Sequence, residues 1–124
     1  MASVHAVADY ILRRVVTEEG ASIHSRKLQR IACFCQARNI ALHREPLFDE
    51  GIDERACGPI VWSLHARFMD YGDFAIDIPD GKTDCLTGLS DRDRTVIDEV
   101  WEACGSMSDS QLRNLNHCEA LLRA

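Results

Sequence analysis

Proline and glycine are scarce in this sequence, at three and seven of 124 residues, which leaves little room for disordered linkers. No stretch approaches the ~20 consecutive apolar residues of a membrane-spanning helix. The opening segment, MASVHAVADYILRRVV, has no basic stretch ahead of its apolar residues, so it does not read as a secretory signal, and a cytoplasmic location is the expectation. Catalytic signatures are also missing. There is no Gly-rich phosphate loop, no HExxH, no GxSxG and no calcium-binding loop. The histidines at 5, 24, 43, 65 and 117 include no i, i+4 pair, so the usual helix-borne metal-ligand spacing is absent. No cofactor and no metal are expected.

Cysteine is plentiful, with six residues. In a compartment that keeps thiols reduced, an even count is no evidence for disulfides. Cys33 and Cys35 are the only close pair; two residues apart on a helix they point about 160° from each other and cannot share a metal. Cys57, Cys85, Cys104 and Cys118 match no zinc-binding spacing, so packing as small apolar side chains is the expected role for most of the six.

The net charge of -6 is unevenly spread: residues 1 to 44 carry 7 Lys/Arg against 3 Asp/Glu, and residues 45 to 124 carry 7 against 17. An acidic majority repels polyanions, which argues against nucleic acid as the main partner.

With no internal repeat and no composition break, the chain reads as one domain from residue 1 to 124. Its expected fold is mainly α, a single compact domain of four to five helices with at most a small hairpin or short strands between helices two and four. The first helix spans about Ser3 to Glu18, with Val4, Val7, Ala8, Ile11, Leu12 and Val15 at helical spacing and Gly20 as its stop. The second spans about 25 to 43. Leu28, Ile31, Ala32, Cys35 and Leu42 share one sector of it, and Arg26, Lys27, Arg30, Arg38 and Arg44 share another. Phe34 falls among the arginines and Ile40 lies nearly opposite, so this helix should be contacted from more than one side.

Residues 46 to 59, PLFDEGIDERACGP, show no helical period. Short extended pieces around Leu47-Phe48 and Ile52-Asp53 allow a small hairpin. Pro59 suits a first helical turn and Gly58 before it is pushed from the α region, so helix three is expected to start there. Ile60, Val61, Leu64, Phe68 and Tyr71 share its inner face, with Trp62 and Met69 on the far side. Phe74, Ile76 and Ile78 alternate with polar residues as one short strand would. Ser90 with Asp93 caps the next helix, whose apolar set is Val96, Ile97, Val100, Trp101 and Cys104 and whose stop is Gly105. A last helix starts at Ser108 with a capping box and carries Leu112, Leu115, Cys118 and Leu122.

In order and spacing, the stretches VADYIL (7 to 12), IHSRKLQRI (23 to 31), LFDEGI (47 to 52), CGPIVWSLHARFMDYG (57 to 72), LSDRDRTVIDEVWEACG (89 to 105) and QLRNLNHCE (111 to 119) resemble the Panacea domain. This SocA-like antitoxin family includes phage-associated proteins. The motif positions that carry the likeness include Leu28, Gln29, Leu47, Phe48, Gly58, Pro59 and His117. The chain departs from the family pattern at Cys33-Phe34, Glu54-Arg55, Asn116 and Leu121-Leu122, where the family has further aromatics or a threonine.

The resemblance implies a helical module that works by binding: the neutralising half of a toxin-antitoxin pair, acting by direct contact or by delivery of a toxin to a protease. On that reading the candidate contact residues are Trp62 and Met69, with Phe34, Arg30 and Arg38 as a second patch. A competing reading is a small thiol- or metal-dependent hydrolase using His117, His65 and a cysteine.

Overall fold

The computed structural model describes residues 2–17, 22–55, 58–72, 75–76 and 88–113, and over these the protein is mainly helical. Helix α1 runs Val4–Thr17, α2 Ser25–His43, α3 Trp62–Phe68, α4 Asp91–Cys104 and α5 Asp109–Arg113. A two-stranded antiparallel hairpin, β1 (Asp53–Arg55) and β2 (Gly58–Ile60), precedes α3, and a 3-10 turn, Met69–Tyr71, continues it.

Helices α1, α4 and α5 start where a side chain satisfies the first free N–H groups, whereas α2 and α3 start at His24 and Val61 without a side-chain cap. Ser3 Oγ accepts from the Ala6 N–H at 3.1 Å to open α1. Ser90 and Asp93 form a reciprocal capping box at α4, with both bonds at 3.1 Å, and Ser108 and Gln111 repeat the pattern at α5. Helix α2 ends on Arg44 in the left-handed conformation, φ 60°, where its N–H donates to the Ile40 carbonyl at 2.9 Å.

Helix α2 is the axis of the fold, packed against α1, α3, α4, α5 and β2. Every residue from Leu28 to Cys35 is buried, so contact comes from all sides of this stretch. The core joins Val4, Val7, Ile11 and Val15 of α1 to Leu28, Ile31 and Phe34 of α2 and to Ile97, Val100 and Trp101 of α4. Burying each such side chain contributes about 1.5–3 kcal/mol. Backbone contacts tie the irregular segments in: Ala2 bridges Phe48 in parallel, His24 bridges Ala75 antiparallel, and the Ile76 N–H donates to the Ile23 carbonyl at 2.8 Å.

Several expectations are corrected. Gly58-Pro59 does not start helix three. Pro59 sits in β2 opposite Glu54, and α3 begins at Trp62; in a two-stranded ribbon proline's missing N–H costs no interior ladder bond. The hairpin is Asp53–Arg55 with Gly58–Ile60, later in the chain than Leu47-Phe48. Leu42 is 42% exposed, because the core contacts of α2 end before its last turn.

Gly105 does stop α4, but with φ -60° and ψ -32° it is not there for a left-handed cap. A Cβ at this position would stand 2.7 Å from the Trp101 ring, so close approach is what requires glycine. Gly20, Cys57, Phe74, Ile78, Cys85, Leu115, His117, Cys118 and Leu122, for which the sequence also raises expectations, lie outside the described residues.

Candidate partner-binding site

The segment from Glu45 to Val61 has too few apolar residues to place itself, and two glutamines of α2 hold it in the way a neighbouring strand would. Gln29 accepts from the Val61 N–H at 2.9 Å and donates to the Val61 carbonyl at 3.2 Å. Gln36, seven residues on and therefore on the same helix face, accepts from the Leu47 and Phe48 N–H groups at 2.6 and 3.2 Å and donates to the Phe48 carbonyl at 2.9 Å. The Leu47 and Phe48 side chains fill the core beneath. Gln29 and Phe48 were singled out by the family resemblance; Gln36 was missed. Two glutamines seven apart on a helix facing an aperiodic segment was the available signal.

These clamps fix where α3 starts. Of the residues expected on its inner face, Leu64 and Phe68 are buried, as is Val61 at its N-cap, whereas Ile60 belongs to β2 and, like Tyr71, is only half-buried. Its far end is held by Arg67, which donates to the buried Asp9 carboxylate of α1. The outer face is then aimed into solvent: Trp62 is 48% exposed and Met69, seven residues later, is 59% exposed.

The indole of Trp62 is oriented on two sides. Its Nε1–H donates to Asp53 Oδ2 of β1 at 3.0 Å, and the His65 ring meets it edge-on with centroids 5.5 Å apart. A rigid, half-exposed tryptophan is the kind of side chain that anchors a protein interface, because little conformational freedom is lost when it is covered.

A hollow lies on each flank of this face. One, of about 750 Å³, is bordered by His24, Arg26 and Lys27 at the start of α2, by His65 and Met69, and by Met107. The other, of about 490 Å³, runs between β1 and the start of α3 and is lined by Glu50, Gly51, Ile52, Asp53, Trp62 and Ser63 together with Val61.

The expected second patch does not lie at the surface. Phe34 is 3% exposed and Arg30 7%, both inside the packing of α2. The wheel placed them on a polar sector, but the neighbours of α2 cover that sector at its middle, while Arg26 and Arg44 at the two ends stay exposed. Arg38 is partly buried and engaged with Glu99 of α4 at 2.9 Å. Its charge therefore faces an acidic side chain of the same molecule.

The hydrolase residues are not brought together among the described residues. His65 is exposed on α3, whereas Cys33, Cys35 and Cys104 are buried thiols. Burial pushes the Cys104 thiol up, with Lys27 opposing, and a raised thiol is the reverse of what a nucleophile needs. No cluster of three or more His, Cys, Asp or Glu side chains suited to a metal occurs among the described residues, and no described helix is long and apolar enough to cross a membrane.

Compared with protein-family models, with characterised proteins and with solved structures, the chain matches none.

Proposed function

We propose that this chain is a cytoplasmic protein-binding module of the antitoxin kind, which neutralises a toxin or another host or phage protein by covering it or by delivering it to a protease. The observation that carries this reading is the outer face of α3. Two large apolar side chains, Trp62 and Met69, stand exposed at i, i+7 on an element whose opposite face is anchored by core packing, by the Gln29 clamp at Val61 and by the Arg67–Asp9 ion pair.

Exposed apolar side chains on an element anchored in this way fit a surface made to be covered by a partner. The likeness of the chain's ordered motifs to the Panacea domain supplies the antitoxin class. The experiment is co-expression with the product of the adjacent reading frame. Wild-type chain is expected to co-purify with that product and to relieve any growth arrest it causes, and Trp62→Ala is expected to lose both while remaining folded.

A further inference from the structure

The sulfur atoms of this chain are sorted by burial. Among the described residues they belong to Cys33, Cys35, Cys104, Met69 and Met107. Thiols are ordinarily oxidised ahead of thioethers, but susceptibility also follows exposure, and these cysteines are at most 3% exposed. Met107 is half-buried against the core. Met69 is 59% exposed, the most open of the large apolar side chains among the described residues. Burial therefore reverses the usual order, and of the described sulfurs a thioether is the one an oxidant meets first.

Main-chain groups shape the backbone around this side chain. Met69 opens the 3-10 turn Met69–Tyr71, which is closed by the Gly72 N–H donating to the Met69 carbonyl at 3.1 Å. The side chain itself borders the larger hollow, where Pro59, Ile60 and Met107 are further apolar lining residues. Its apolar character therefore matters at the surface and not to the turn.

We propose that Met69 is a reversible oxidation site through which a peroxide releases the partner from α3. The inference rests on the reading of α3 as a partner-binding face and adds how that face is regulated. The sulfur lone pair attacks one peroxide oxygen: an S–O bond forms, the O–O bond breaks, and the proton on the transferred oxygen passes to the departing hydroxide, leaving sulfoxide and water. Sulfur is oxidised by two electrons and the peroxide is reduced by two.

The product is a polar, chiral side chain with a strong acceptor oxygen. Covered by a partner, that oxygen gives up its water for a surface that fits a thioether, which disfavours the complex. In the unbound chain it stays solvated, so the change falls on binding and not on the fold. Methionine sulfoxide reductases reverse the step, and an exposed side chain is within their reach.

The test treats the full chain with hydrogen peroxide and then with dithiothreitol, which returns disulfides and sulfenic acids to thiols and leaves a sulfoxide in place. Peptide mass mapping is expected to find one added oxygen on Met69 before Met107. Isothermal titration against the co-purified product of the adjacent reading frame is expected to show affinity about tenfold weaker after peroxide, restored by a methionine sulfoxide reductase, with the melting temperature unchanged.

Met69→Leu has no sulfur at this position, so its affinity, whatever the starting value, is expected to be the same before and after peroxide. Met69→Gln places a polar acceptor there permanently and is expected to bind as weakly as oxidised wild type. Oxidation of Met107 ahead of Met69, equal wild-type affinity before and after peroxide, a loss on peroxide in Met69→Leu as large as in wild type, or a Met69→Gln chain that binds like untreated wild type would each overturn the inference.

Failure here is separable from failure of the partner reading. A product bound by untreated wild type, lost in Trp62→Ala and held equally after peroxide leaves the binding face standing without its switch. An untreated chain that captures no protein removes the face and the switch with it, even where Met69 oxidises first.

Discussion

Helices α2 and α3 touch each other and yet are built on opposite plans. From Leu28 to Cys35, α2 shows no exposed residue and hides Gln29 and Arg30 along with its apolar side chains. Helix α3 hides Leu64 and Phe68 and, with the 3-10 turn that continues it, leaves Trp62 and Met69 outside. The polar groups of the first are structural, since a buried polar side chain persists only when its bonds are satisfied. The apolar groups of the second contribute little to the fold, so their exposure needs another reason. Which residues are functional therefore depends on which helix they occupy, more than on how polar they are.

The sharpest way to break this contrast is at Phe34. If it is core and not surface, Phe34→Ala should cost about 3–5 kcal/mol, read as a shifted urea midpoint; a loss under about 1 kcal/mol would return it to the surface. Gln29→Ala comes next. It strips a partner from both the N–H and the carbonyl of Val61 and should cost about 2–4 kcal/mol by the same measurement.

Asp9→Asn removes the charge that Arg67 meets. Because the Arg67 side chain is 34% exposed, the loss is discounted to about 2 kcal/mol from the range for a fully buried pair.

Tyr10 should show a smaller effect with a distinct pH signature. Burial raises its hydroxyl pKa above the ordinary 10.0, and the bond it donates to Asp98 adds to the rise. A group raised on folding stabilises the native state below its unfolded pKa and loses that contribution as pH climbs through the folded value. Wild type is therefore expected to lose stability above pH 10, and Tyr10→Phe, about 1 kcal/mol less stable at neutral pH, should lose less over that range. At the far end of the scale, Trp62→Ala should change stability by no more than about 1 kcal/mol, because its contacts are at the surface.

Much of the helical frame was legible in the sequence. Ser90 with Asp93 and Ser108 with Gln111 mark helix starts through local bonds, and the inner faces of α1, α3 and α4 follow from periodicity alone. The same wheel placed Trp62 and Met69 outside, where they are.

What failed was set by contacts between distant segments. The burial of Arg30 and Phe34 depends on how many neighbours surround α2, which no single-helix pattern records. Pro59 reads locally as a helix start, and pairing with Glu54 across a hairpin overrides that preference. The Gln36 clamp joins residues eleven and twelve positions apart, and its one trace in the sequence is the spacing of Gln36 seven residues after Gln29.

The central claim, that the outer face of α3 is the contact surface, is tested most directly by measuring partner affinity and melting temperature together for wild type and Trp62→Ala. Isothermal titration against the co-purified product of the adjacent reading frame supplies the first quantity. The account predicts an affinity loss of at least about thirtyfold, the 2 kcal/mol expected of an anchor tryptophan, with melting nearly unchanged. A wild-type chain that binds no such product, or a Trp62→Ala chain that binds it as tightly as wild type, would contradict it.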